Sequence, residues 1–109
     1  MSETQENYLT DIEIKQLEII DHYGIDKQYD QLIEECSELI KAICKYKRDD
    51  ILQSDIIPTA NIIEEIADVE NLIEQLKLKD KLIAAGVVSI KEHKVNREID
   101  RIKTRHKRG

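Results

Sequence analysis

Ile33-Glu34-Glu35-Cys36-Ser37-Glu38-Leu39 is answered thirty residues further on by Ile63-Glu64-Glu65-Ile66-Ala67-Asp68-Val69, and these two stretches decide how the chain folds. In both, apolar side chains recur at three-residue intervals with carboxylates between them. That is the pattern of a helix with one apolar and one charged side, not the alternation of a strand. Ile43 and Ile73 extend the echo. Two copies do not make a solenoid, which needs at least three repeats to bury a continuous core. The echo instead says that two helices carry the same residue types in the same phase.

Working outward, Tyr29, Leu32, Ile33, Cys36, Leu39, Ile40, Ile43 and Cys44 recur at three-and-four spacing. They predict a helix opened by Asp26 as N-cap and running to about Arg48. Upstream, Thr10-Asp11-Ile12-Glu13 reads as a capping box, which starts a helix near residue 11 that Gly24 stops. Downstream, Asp49 to Pro58 holds charge, Ser and the only Pro, and reads as a connection. Thr59 then begins a third helix, to about Lys79, whose expected apolar face is Ile62, Ile63, Ile66, Val69, Ile73 and Leu76. After Asp80 a fourth helical region follows, with Gly86 as an expected break. The predicted fold is all-α, an antiparallel four-helix bundle completed by oligomerisation. The expected divisions are a lead-in over residues 1–9, a helical domain over 10–105 and a basic tail over 106–109.

Composition agrees. The 109 residues are rich in Ile, Leu, Glu and Lys, with three Gly, one Pro and neither Trp nor Phe. Such a chain favours helix. A domain this small buries a limited core, which together with the Ile and Leu on three helices predicts a homodimer or homotetramer. No apolar run approaches the roughly 20 residues that span a bilayer, and Met1 to Asn7 is polar, so a cytoplasmic protein with no membrane partner is expected. Cys36 and Cys44 lie about 12 Å apart along one helix, too far to bridge, and neither has a Cys or His at ligand spacing. Both read as small core residues. Net charge is −6, but residues 91–109 carry eight Lys or Arg against three acids, leaving −11 for the rest. By charge alone that arm is a solvated helix end or a surface facing a polyanion.

At 100° per residue, Glu35 falls about 100° from Cys36 and Glu38 about 160° away on the same side, and Glu65 and Asp68 stand in the same relation to Ile66. Each helix therefore offers an i, i+3 carboxylate pair, and antiparallel packing lets the four converge. Like charges so close need an offsetting cation. An all-oxygen donor set with no His or Cys suits Mg²⁺, or Mn²⁺, better than Zn²⁺. A di-iron bundle needs Glu-x-x-His pairs, and none of His22, His93 or His106 has an acid three residues before it. The residues alone leave open whether these acids hold a cation or are the solvated faces of two amphipathic helices. Glu70 departs from the pattern, since it falls on the expected apolar side of the third helix, and His93 is assigned no role.

Glu34-Glu35-Cys36-Ser37-Glu38 followed by Glu64-Glu65-Ile66-Ala67-Asp68 resembles the EExxE and EExxD signature of the MazG-like nucleotide pyrophosphohydrolases, a likeness covering about residues 26–102. The resemblance implies a helical bundle working as a dimer or dimer of dimers. It also implies a reaction that releases pyrophosphate from a nucleoside triphosphate to leave the monophosphate. By the same likeness Glu35, Glu38, Glu65 and Asp68 are metal ligands, Glu34 or Glu64 assists by orienting the attacking water, and Lys94, Arg97 and Arg101 meet the phosphates. Two alternatives of other kinds are a helical interaction module that offers its acidic face to a basic partner and its basic arm to a nucleic acid, and a catalytically silent nucleotide sensor. A nucleic-acid partner is not the favoured expectation.

Overall fold

The computed structural model describes residues 8–49 and 56–108. They are all-α, with four helices and no strand among the described residues: α1 (Asp11–Tyr23), α2 (Ile25–Asp49), α3 (Ile56–Lys79) and α4 (Lys81–Arg108). The chain divides into two compact units, one ending at Lys79 and one beginning at Asp80. The first contains α1, α2 and α3 packed on one another, and the second is α4.

Local chemistry explains the boundaries. Thr10 Oγ1 accepts from Glu13 N at 3.0 Å while Glu13 Oε1 accepts from Thr10 N at 2.9 Å, the reciprocal pair that its sequence predicts. Gly24 ends α1 at φ +90°, a conformation that L side chains resist, and its N–H donates to Ile20 O at 2.7 Å. Its own carbonyl accepts from Gln28 N at 3.3 Å, so one glycine closes α1 and opens α2. Asp26 is therefore in the first turn of α2 and is not its N-cap, where its charge still favours the helix N-terminus. The expected connection at 49–58 is shorter than predicted: α3 begins at Ile56, with Pro58 in the first turn where a missing N–H costs nothing, and residues 50–55 lie outside the described residues. At Asp80 the side chain accepts from Leu82 N and Ile83 N at 3.0 and 3.3 Å, capping α4. That helix runs unbroken through Gly86, so the expected break is absent, and it continues through residues 106–108. A single glycine in a helix costs about 1 kcal/mol relative to alanine, too little to stop a helix of 28 residues.

The core takes only one edge of the expected apolar faces: Leu32, Leu39, Ile62, Val69 and Leu76 are turned inward as expected, whereas the rest of those faces is not. On α2 the side chains turned inward are Gln28, Leu32, Glu35, Leu39 and Ala42, and on α3 they are Ile62, Glu65, Val69, Leu72, Gln75 and Leu76. Ile33 is 70% exposed and Ile63 62%, and Cys36, Cys44, Ile40, Ile43, Ile66 and Ile73 are also exposed. The cysteines are thus not core residues. Each helix carries two apolar lines roughly 100° apart, and the broad expected face spans both although only the inner one is covered within the chain. The anomaly at Glu70 dissolves, because it is exposed on that outer side.

Candidate metal centre

α2 and α3 run antiparallel, and the inward turn of Glu35 and Glu65 brings carboxylates from both helices to one level. One ligand oxygen from each of Glu35, Glu65 and Asp68 lies within 4.8 Å of the others. Glu35 and Glu65 are half-buried and Asp68 is exposed, so the cluster forms a shelf with a closed floor and an open side. Three carboxylates held this close repel one another, and a positive charge among them would relieve that repulsion.

Glu65 carries the strongest signal. Its Oε1 is shut off from solvent and has no hydrogen-bond partner, the one such side-chain atom among the described residues. Loss of solvation pushes its pKa above the ordinary glutamate range, and the neighbouring charges of Glu35, Asp68, Glu38 and Glu64 push in the same direction. Exposed acidic groups often gather without binding anything. A carboxylate with one oxygen held dry and partnerless, beside two more carboxylates, is a different matter, because folded proteins rarely leave such an atom unsatisfied.

The other predicted residues are placed as follows. Glu38 is half-buried and stands outside the three-oxygen cluster, with Lys41 Nζ 3.6 Å from its Oε2. The Lys41 side chain is 75% exposed, so this pair is weakly held. Glu34 and Glu64 are exposed beside the cluster, and the Glu34 carbonyl accepts from Ser37 Oγ at 2.9 Å. Lys94, Arg97 and Arg101 are all exposed on α4, and Arg101 Nη1 is 3.2 Å from Glu98 Oε1. At 100° per residue the three lie within about 60° of one another, continuing the line of Ile83, Val87 and Ile90 along α4. A concave strip there is lined by Arg97, Asp100, Arg101, Thr104 and Arg105.

Sequence reasoning overlooked the amides. Gln31 Nε2 donates to Glu35 Oε2 at 2.9 Å, an i, i+4 contact that helical spacing alone would have revealed. Deeper in the bundle, Gln16, Gln28 and Gln75 are buried and joined to one another. Their signal was also in the sequence: Gln28 precedes Glu35 by seven residues and Gln75 follows Asp68 by seven, two turns along the same face.

Compared with known proteins, the chain matches no family model, no curated protein and no solved structure. No helix among the described residues is long and apolar enough to cross a membrane.

Proposed function

We propose that this chain is a metal-dependent nucleoside triphosphate pyrophosphohydrolase of the MazG-like kind. The observation that carries the reading is the convergence of Glu35, Glu65 and Asp68 from two helices, with Glu65 Oε1 left without a partner. The donor set is all oxygen, which fits Mg²⁺ or Mn²⁺, and such an ion would give Glu65 Oε1 the positive partner it lacks.

In this reading Glu35, Glu65 and Asp68 would hold the cation, with Glu38 as a further ligand beside them. A bound divalent ion supplies Lewis acidity toward phosphate oxygens and lowers the pKa of a water. Glu34 or Glu64 orients the attacking water and takes its proton. Attack at the α-phosphorus breaks its bond to the α–β bridging oxygen, so the monophosphate leaves from one side and pyrophosphate from the other. Lys94, Arg97 and Arg101 neutralise phosphate charge without competing for the cation, and Arg suits this by its two-pronged geometry. The outer apolar lines of α2 and α3 support assembly as a homodimer or homotetramer.

The direct test is pyrophosphate release from the common and damaged ribo- and deoxyribonucleoside triphosphates, with Mg²⁺ or Mn²⁺ added. Turnover that requires the metal and yields equimolar monophosphate and pyrophosphate is expected. Tight nucleotide binding without turnover would replace the enzyme reading with a sensor, and neither binding nor turnover would remove both.

A further inference from the structure

Among the described residues the buried hydrophobics are Ile20, Val69 and Leu72, and the buried polar residues are three glutamines, Gln16, Gln28 and Gln75. A core that gives amides as many buried places as hydrocarbons is using them for something hydrocarbons do not supply. The amides form a directed chain. Gln28 Nε2 donates to Gln75 Oε1 at 2.7 Å, Gln75 Nε2 donates to Gln16 Oε1 at 2.6 Å, and Gln16 Nε2 reaches Asn71 O and Oδ1 at 3.4 and 3.3 Å. One chain thereby ties α1, α2 and α3 together.

Its position along the bundle matters more than its strength. Gln28 and Glu35 are seven residues apart on α2, and Asp68 and Gln75 are seven apart on α3 (35 − 28 = 75 − 68 = 7). Because the helices are antiparallel, Gln28–Gln75 and Glu35–Asp68 are rungs of the same register, two turns or about 10 Å apart. Between and beside them the seam is made by Leu32, Leu39, Val69 and Leu72. Apolar contacts of that sort have no direction, and a slide of one turn, about 5.4 Å, would remake most of them. The same slide would carry Glu35 beyond reach of Asp68 and leave buried amides unpaired.

We propose that the Gln16–Gln28–Gln75 chain is the positioning element of the carboxylate centre, locking the α2–α3 register that brings Glu35 to Glu65 and Asp68. Fixing register is the best-attested use of a buried polar group in a helical seam. The role assigned to the amides rests on reading the carboxylates as a metal site, whereas the register lock itself does not.

The test replaces all three amides by the near-isosteric methionine, Gln16→Met, Gln28→Met and Gln75→Met together, so that no buried amide is orphaned. Two quantities are read: the Kd for Mn²⁺ alone, from loss of the free-ion paramagnetic signal, and the distance between spin labels on α2 and α3. Labels go on Cys44 and on Ala67→Cys in a Cys36→Ser background, diluted with unlabelled chain. The expected result is a thermal midpoint equal to or above that of the parent, with Mn²⁺ binding weakened about tenfold or more and the label distance spread over more than one register. Unchanged Mn²⁺ affinity together with one sharp distance overturns the proposal. If the parent binds no Mn²⁺ the metal reading falls, and the distance distribution decides the register lock by itself. Should the triple variant fail to fold, Gln28→Met alone keeps the Gln75–Gln16 bond, and an intermediate loss of Mn²⁺ affinity is expected from it. Parent-like affinity in that folded single variant also overturns the proposal.

Discussion

Replacing Glu65 by Gln should make the metal-free protein more stable and the metal-loaded protein less so. The substitution keeps the shape of the side chain and deletes the charge whose solvation is lost and which Glu35, Asp68, Glu38 and Glu64 all oppose. The sign of the pH dependence follows. A carboxyl whose pKa is raised in the folded state binds its proton more tightly there, so its stabilising contribution is complete below the unfolded value near 4.5 and fades as pH rises through the higher folded value. Wild-type protein without metal should therefore lose thermal stability as pH climbs out of the ordinary glutamate range. Glu65→Gln should lose less, and the two curves should meet at acid pH.

Divalent cation reverses the order. A ligand bound only by the folded state at 100 times its Kd adds about 2.7 kcal/mol, and for a chain of this size each kcal/mol moves the midpoint by about 4–8 °C. Mn²⁺ at that excess should raise the wild-type midpoint by about 10–20 °C, and Glu65→Gln by far less, because one of three clustered ligands has lost its charge. The assay is differential scanning fluorimetry over a pH series with and without Mn²⁺, using Mg²⁺ and Ca²⁺ as comparisons. A variant that keeps the full Mn²⁺ shift, or whose metal-free pH profile overlays that of wild type, would refute the placement of Glu65 at the centre.

The other carboxylates should separate by position: Asp68→Asn, inside the cluster, abolishes Mn²⁺ binding and turnover, whereas Glu38→Gln, outside it, weakens both without abolishing binding, as read by titration and pyrophosphate release. Lys94→Ala should weaken nucleotide binding and turnover while leaving Mn²⁺ binding to the free protein unchanged, and equal losses in both would return α4 to the status of a solvated arm. Leu72→Ala should cost about 2–5 kcal/mol in urea unfolding, since Leu72 is one of few buried hydrophobics and its loss leaves a cavity. Ile33→Asp with Ile63→Asp should shift sedimentation toward the monomer with little loss of helix, because both residues lie on the exposed outer line.

The helices were legible because their signals are local. A capping box, a glycine stop and three-and-four spacing act within a few residues, and α1 in particular appears where Thr10 and Gly24 put it. The burial phase was legible only in part, because α2 and α3 each carry two apolar lines and the pattern does not say which is covered within the chain. Leu32 and Leu39 face inward as expected, but Gln28 and Glu35 do so as well, while the more hydrophobic Ile33 and Ile40 stay exposed. What the periodicity could not weigh is that α2 and α3 each carry a second apolar surface, so the strongest apolar stripe need not be the one packed within the chain.

The error in phase had little effect on the candidate site. Glu35 was expected about 100° from the core anchor Cys36; it lies at that angle from Cys36, but toward the core. A reading that assigned the inner face to Cys36 and Ile66 put the acids on the flank of the bundle, in contact with solvent. Turned inward, Glu35 and Glu65 lose much of that solvent, and Oε1 of Glu65 loses all of it. The same rotation buries Gln28 and Gln75, seven residues from the acids on either helix, and explains why they are amides and not a second set of carboxylates. A buried rung must satisfy itself, and an amide both donates and accepts, whereas carboxylates only accept. Two turns away lies the acid rung, which cannot pair with itself and is where the proposed function places an ion. The contrast between a self-paired amide rung and an acid rung whose carboxylates cannot pair with one another, beside the partnerless Glu65 Oε1, is what separates this acidic cluster from an ordinary charged helix face.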